Sequence, residues 1–189
     1  MPAPARTSRP AIVAAARAIL ESDGLGAVSM QAVADRVGVR SPSLYKHVVD
    51  RTALIRAITE AVTADLAAAI APRRPSPDPR DDLRSIARRY RTFVRANPHG
   101  YALLFARLDP ELRPDDAVLA ALGLPIVEAV ARLVGDDDAL AAARTFVAWA
   151  HGFTSLEMAG GFRLGGDVDA AYTSGIELIL AGISASATR

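Results

Sequence analysis

The sequence predicts an all-α protein in which an N-terminal three-helix head, built around a helix-turn-helix, leads into a larger helical body. Three observations carry that expectation. Apolar residues recur at helical spacing from Ile12 to Ile183, and no segment alternates as a strand would. Gly38 stands between two short helical patterns, each opened by a capping residue. Charge is also divided along the chain. Residues 1–56 hold eight basic and four acidic side chains, net +4, whereas the remainder holds fourteen arginines and seventeen acids, net −3, within an overall +1. A basic head on a mildly acidic body fits a polyanionic partner for the head alone.

The elements follow in order. Ile12, Ala15, Ala16, Ile19 and Leu20 occupy the i, i+3, i+4, i+7, i+8 stripe of a first helix, with Thr7 or Ser8 as its cap and Asp23-Gly24 as its stop. Ser29 can cap a second, short helix on which Val33 and Val37 lie four apart. Ala34 is small enough to let the next helix cross closely, and Gly38 suits the left-handed conformation that ends a helix. Val39 and Leu44 supply apolar contacts beyond that turn, while Ser41 as N-cap and Pro42 at the first helical position start a helix reaching about His47. Asp50 caps a long helix to about Ala71, with Leu54, Ile58, Val62 and Leu66 at successive fours. Its length carries it out of the head and into the body.

The proline-rich run from Pro72 to Pro79 reads as a loop, and Asp78, Asp81 and Asp82 then place acids at the start of a helix. That helix carries Leu83, Ile86, Tyr90, Phe93 and Val94 and stops before Asn97-Pro98, because a residue preceding proline avoids helical dihedrals. A short segment from Tyr101 to Leu108 and a helix from about Asp115 to Leu133 follow. Asp136, Asp137 and Asp138 read as N-terminal helix charge rather than metal ligands; their helix runs through Trp149 and His151 to about Ala159, ended by Gly160-Gly161. The last helix, about Val168 to Ala185, aligns Tyr172, Ile176, Ile179, Leu180 and Ile183. The division expected is a DNA-binding head over 1–55 and an effector-binding and dimerisation body over 56–189.

Chemistry concentrates in the third helix of the head. Ser43, Tyr45, Lys46 and His47 make poor material for a buried face and good material for a nucleic-acid groove. For Tyr45 the competing reading is packing of the short helix, and for His47 a polar edge to the head's core. Arg51 falls in a first helical turn, where the macrodipole favours anions. A phosphate held jointly by backbone N–H groups and the guanidinium would account for it, and so would plain solvation.

Composition bounds the alternatives. A 189-residue chain that is 51% hydrophobic can bury a core without staples. The absence of cysteine excludes disulfides, thiol nucleophiles and cysteine-ligated zinc. Met1 to Pro10 lacks the apolar core of a signal peptide, and the long apolar stretches are interrupted by charges, so a soluble, cytoplasmic protein is expected. No phosphate loop, hydrolase elbow, metal or cofactor motif stands out. The one acid–base pair on offer, His151 and Glu157, is six residues apart and poorly placed on a helical face, so no enzyme is expected. The rival reading is a helical small-molecule-binding or scaffold protein that does not bind DNA. Ala148, Gly152, Ser155 and Ala159 line one face of the penultimate helix with small residues, and Gly175 and Gly182 thin the last. Such faces permit close helix approach, within a protomer or across a two-fold axis.

Gly38-Val-Arg-Ser-Pro-Ser-Leu-Tyr-Lys-His-Val, followed by Asp50-Arg-Thr-Ala-Leu, closely resembles the helix-turn-helix of tetracycline-repressor (TetR) family regulators. Trp149-Ala-His-Gly-Phe-Thr-Ser-Leu-Glu-Met-Ala-Gly, with Leu180-Ala-Gly-Ile, further resembles the C-terminal domain named for its Trp-His-Gly signature. The resemblance implies a homodimeric repressor that leaves a palindromic DNA operator when a small molecule enters the body. By position, Gln31, Arg40, Ser41, Pro42 and Lys46 would face base edges. Ser29, Ser43, Tyr45, His47 and Arg51 would orient toward phosphates, with Arg6 or Arg9 adding to them from the arm. Lys46 stands where the family often has an aromatic residue. Effector candidates are Phe93, Tyr101, Phe105, Trp149, His151, Phe153 and Glu157, each of which also suits ordinary core, and His151 the dimer seam.

Overall fold

The computed structural model describes residues 7–72, 74–106, 112 and 114–186, and every regular element among them is helical. In chain order these are α1 (Arg9–Asp23), a 3-10 turn (Leu25–Ala27), α2 (Met30–Val37), α3 (Ser41–Leu44), α4 (Arg51–Ile70), α5 (Pro79–Ala96), α6 (Pro98–Phe105), α7 (Asp116–Val134), α8 (Asp136–Met158) and α9 (Val168–Ser186). Contacts divide the described residues into two compact units, one within Met1–Asp65 and Asn97–Leu119, the other within Leu66–Ala96 and Ala120–Arg189.

In the first unit, Ser8 caps α1 by accepting the Ala11 N–H at 3.3 Å, and Ile12, Ala16, Ile19 and Leu20 are buried on one stripe. Ser29 caps α2 through the Ala32 N–H at 3.1 Å, and Val33 and Ala34 are fully buried where α2 meets its neighbours. Gly38 is left-handed at φ 78°, ψ 35°, which lets the Gly38 and Val39 N–H groups both reach the Ala34 carbonyl, at 2.9 and 3.0 Å.

The next helix departs from expectation. Arg40 is already extended and serves as its N-cap, so Ser41 lies inside α3 and its hydroxyl does no capping. Regular helix ends at Leu44; Tyr45 to His47 continue as a turn in which the His47 and Val48 N–H groups share the Leu44 carbonyl, at 2.8 and 2.9 Å. Asp50 then starts α4 as expected, its carboxylate accepting the Ala53 N–H at 2.7 Å. Leu54, Ile58 and Val62 are buried along α4, and the buried Thr59 and Thr63 hydroxyls donate to carbonyls one turn back.

α6 begins at Pro98 rather than Tyr101, because proline suits a first helical turn; Leu108, its expected end, lies outside the described residues, as does Arg6. The Glu21 carboxylate, at the end of α1, accepts the His99 and Gly100 N–H groups at 3.1 and 2.7 Å, placing an anion at the start of α6. Gly100 accommodates that approach without displacing the carboxylate. A Cβ there would stand 2.8 Å from Glu21 Oε1 and 3.2 Å from Val62.

The second unit packs α5, α8 and α9 together, burying Leu83, Ile86, Ala87 and Val94 of α5, Ala139, Ala143, Phe146 and Ala150 of α8, and Tyr172, Ile176, Leu180 and Ile183 of α9. The small residues foreseen on α8 and α9 serve different ends. Gly175 lies under the Trp149 indole, where a Cβ would meet the ring at 2.6 Å, whereas Gly152 and Gly182 face nothing within 4 Å. Among the described residues α7 is long and apolar enough to cross a membrane, but Asp116, Glu128 and Arg132 punctuate it. Arg132 Nη1 donates to the buried Asp82 carboxylate at 2.7 Å.

Candidate nucleic-acid interface

Leu44 is fully buried and Val48 nearly so, and this pair anchors the segment after the Gly38 turn from both ends. The three residues between them are thereby turned outward: Tyr45 is 53% exposed, and Lys46 and His47 are exposed with it. Tyr45 is therefore no core residue of the head, and about half of its surface is open to a partner. Arg40 and Pro42 are also exposed, Ser41 and Ser43 half-buried, and the neighbouring Val49, which sequence reasoning did not single out, is 77% exposed.

Gln31 is exposed on α2 with both ends of its amide engaged. Its Nε2 donates to Asp35 Oδ1 at 2.7 Å, and its Oε1 accepts the Ser41 hydroxyl at 2.6 Å. The bond to Ser41 ties α2 to α3 and fixes which way the amide faces. Gln31 and Ser41 are thus brought together at one edge of the turn, with Ser29 one turn away on its own backbone cap.

Arg51 has an intramolecular explanation. Its Nε donates to the Val28 carbonyl at 2.7 Å and its Nη2 to the Leu25 carbonyl at 2.9 Å. Two carbonyl dipoles thus compensate the cation that the α4 macrodipole disfavours, without a phosphate. Arg9 is exposed in the first turn of α1.

In the second unit the structure gathers three of the effector candidates. Trp149, Phe153 and Glu157 lie on α8 around Tyr172 of α9 and Arg91 of α5. Trp149 stacks on Tyr172 with centroids 5.2 Å apart, and Phe153 meets Tyr172 edge-on at 5.0 Å and Phe162 at 4.7 Å. Arg91, only 7% exposed, spreads over the Tyr172 ring at 4.5 Å and grips Glu157 with both arms, Nε to Oε2 at 2.8 Å and Nη2 to Oε1 at 2.6 Å. Arg95 joins from the next turn, donating to Glu157 at 2.6 Å and Asp169 at 2.7 Å. The Arg91 bond, then Arg95, holds the Glu157 carboxyl below the usual carboxylate range despite burial. Glu157 is therefore a committed anion and not a proton donor to any neighbour. His151 is half-buried, and desolvation holds its imidazole below the ordinary histidine value.

The remaining candidates lie elsewhere. Phe93 is half-buried on α5. Tyr101 and Phe105 belong to the first unit, their rings 4.9 Å apart, Tyr101 buried and Phe105 about half exposed. An open groove of about 400 Å³ between α8 and α9 is lined by Ala141, Ala142, Thr145, Ile179 and Gly182, and by none of the seven candidates. Sequence reasoning missed Arg91, Arg95 and Asp169. A signal existed for Arg91: it falls four residues after Ala87 and eight after Leu83, on the stripe that α5 buries.

A family model described as "Bacterial regulatory proteins, tetR family" matches residues 12–58, and one described as "Tetracyclin repressor-like, C-terminal domain" matches residues 83–179. The latter description does not specify the Trp-His-Gly type. The chain is 30% identical over 192 residues to an uncharacterized HTH-type transcriptional regulator of Mycobacterium tuberculosis, covering 98% of this chain and 85% of the relative. The structure of a protein of unknown function from Rhodococcus sp. RHA1 is similar at TM-score 0.78 and 25% identity, with 97% of each chain covered. That of BioQ with its natural double-stranded DNA operator is similar in fold at TM-score 0.69 and 23% identity, covering 95% of this chain and 99% of that one.

Proposed function

The chain belongs to the tetracycline-repressor family of bacterial DNA-binding transcriptional regulators, and on that premise we propose that it is a homodimeric, cytoplasmic repressor released from a palindromic operator by a small molecule. The observation that carries the DNA-contact assignment is the outward display of Tyr45, Lys46 and His47 between the buried Leu44 and Val48. A short, rigidly anchored segment with an aromatic ring, a lysine and an imidazole can enter a major groove, where base edges carry a distinct donor and acceptor code. Arg40, Pro42 and Lys46 address base edges in this reading, and the amide of Gln31 does so in the orientation that Ser41 imposes. Ser29, Ser43, Tyr45 and His47 serve the phosphates, and Arg9 adds charge from the start of α1.

We divide the labour between a head over 1–55 and a body over 56–189. One short recognition segment reads few base pairs, so two copies related by a two-fold axis supply the specificity, with half-sites about 34 Å apart or a multiple of that. α4 runs without a break from the recognition region to Ile70, which makes it the mechanical path from body to head. An effector shifts the protein off DNA only by binding the released arrangement more tightly than the bound one. Trp149, Phe153 and Glu157 are the body groups we assign to that response, because their cluster joins α5, α8 and α9 and an entering aromatic or charged compound would compete for its contacts.

Selection of binding sites from random duplex DNA, followed by gel shifts at defined salt, tests the reading. A two-fold-symmetric site is the expected result. A folded dimer that shifts no duplex specifically at any salt would leave the rival reading, a helical ligand-binding or scaffold protein.

A further inference from the structure

We infer that Arg51 is a positioning residue, clamping the first turn of α4 to the connection between α1 and α2 so that the recognition segment is held in register. The inference rests on the DNA-binding reading above and replaces the phosphate contact that sequence position alone suggests for Arg51. Nε and Nη2 bond two different carbonyls, Val28 at 2.7 Å and Leu25 at 2.9 Å, across 23 and 26 residues of chain. Both acceptors belong to the 3-10 turn and its C-cap, and Val28 is itself fully buried. A continuous series of bonds leads on from there. Val28 precedes Ser29, whose hydroxyl caps α2 at 3.1 Å, and Gln31 in the first turn of α2 accepts the Ser41 hydroxyl of α3 at 2.6 Å. Arg51 thus joins the start of the long helix to the start of α2, and α2 to the segment displaying Tyr45 and Lys46.

The planar guanidinium fork is what the geometry requires. It places two N–H donors in fixed directions, whereas a lysine ammonium is a single point of charge on a flexible stem. A phosphate contact keeps its charge, and so its salt dependence, when lysine replaces arginine, and it does nothing in the absence of DNA; a two-carbonyl clamp needs the fork and acts in the free protein.

The full-length protein carrying Arg51→Lys or Arg51→Met tests this with three readouts: affinity for the selected operator relative to random duplex, the slope of log K against log salt, and backbone hydrogen exchange over residues 25–37 without DNA. The clamp predicts faster exchange there in both variants. It also predicts an operator-to-random ratio reduced about tenfold in both, the size of one lost charge-assisted hydrogen bond, with the salt slope unchanged. Wild-type exchange and discrimination in Arg51→Lys, together with a slope reduced by about 0.9 in Arg51→Met, the signature of one lost phosphate contact, would overturn it. Arg51→Lys decides the matter alone if Arg51→Met does not fold. Should the wild-type protein bind no specific site, the regulator reading fails separately, and exchange in Arg51→Lys still decides the clamp: faster supports it, unchanged overturns it.

Discussion

Glu157 shows how far the setting of one side chain depends on partners distant in sequence. It is a candidate for the effector response, and its two oxygens are held by Arg91 and Arg95 of α5. Because Arg91 lowers its folded pKa, the Glu157 contribution to stability is present above the unfolded carboxylate value, about 4.3, and is lost as pH falls through the lower folded value. Glu157→Gln should cost about 1–3 kcal/mol at pH 7, since it leaves the buried Arg91 only the exposed Asp169, 2.8 Å away, as its anion, and urea unfolding at pH 7 and about pH 3 should show the cost shrinking on the acid side. His151 acts earlier in the titration. Its folded pKa is lowered by burial, so its share of stability is complete above about 6.5 and declines as pH drops below that. His151→Gln should therefore flatten the stability profile on the acid side of about pH 6.5. At the other end of the chain, replacing Tyr45 and Lys46 together by alanine should weaken operator binding with little change in melting temperature, since both are exposed. Operator affinity equal to wild type would remove the assignment of that segment.

At the scale of elements, the turns and helix faces make separable demands on glycine. Gly38 is needed for its backbone: at φ 78°, alanine should cost about 1–2 kcal/mol in equilibrium unfolding. Gly175 is needed for its emptiness, because any Cβ would strike Trp149 at 2.6 Å. Gly175→Val should destabilise by about 1–3 kcal/mol through overpacking, and since Trp149 is the only tryptophan, its fluorescence should report the displacement directly. Gly152 faces open space within the protomer. Gly152→Ala should gain up to about 1 kcal/mol of helix propensity if that face is free. If a second protomer covers it, the same substitution should instead weaken the dimer in sedimentation experiments. Sequence reasoning grouped Gly152 and Gly175 with the small residues of a close-approach surface. Periodicity identifies which residues share a helix face but not what stands opposite each of them, and Trp149 lies 26 residues away from Gly175.

The whole molecule is a helical chain in which α4 runs from the first compact unit into the second. A regulator built this way should sediment as a dimer, and its selected operator should be a palindrome with half-sites about 34 Å apart or a multiple of that. A monomer on a single half-site would require the specificity argument to be rebuilt. The sequence by itself determined the helical class, the caps at Ser29 and Asp50, a cap for the first helix at Thr7 or Ser8, the left-handed stop at Gly38 and the family resemblance of the head. Those signals are legible because each is written within a few residues, in dihedral preference, capping chemistry or apolar spacing. Only the tertiary structure decided that Arg51 bonds the Leu25 and Val28 carbonyls, that Glu21 caps α6 at Gly100, and that Arg91 neutralises Glu157. These partners are 23 to 79 residues apart, and an arginine that meets only solvent and one that clamps two carbonyls have the same local sequence signature. What separates them is the acceptor that folding brings within hydrogen-bond reach.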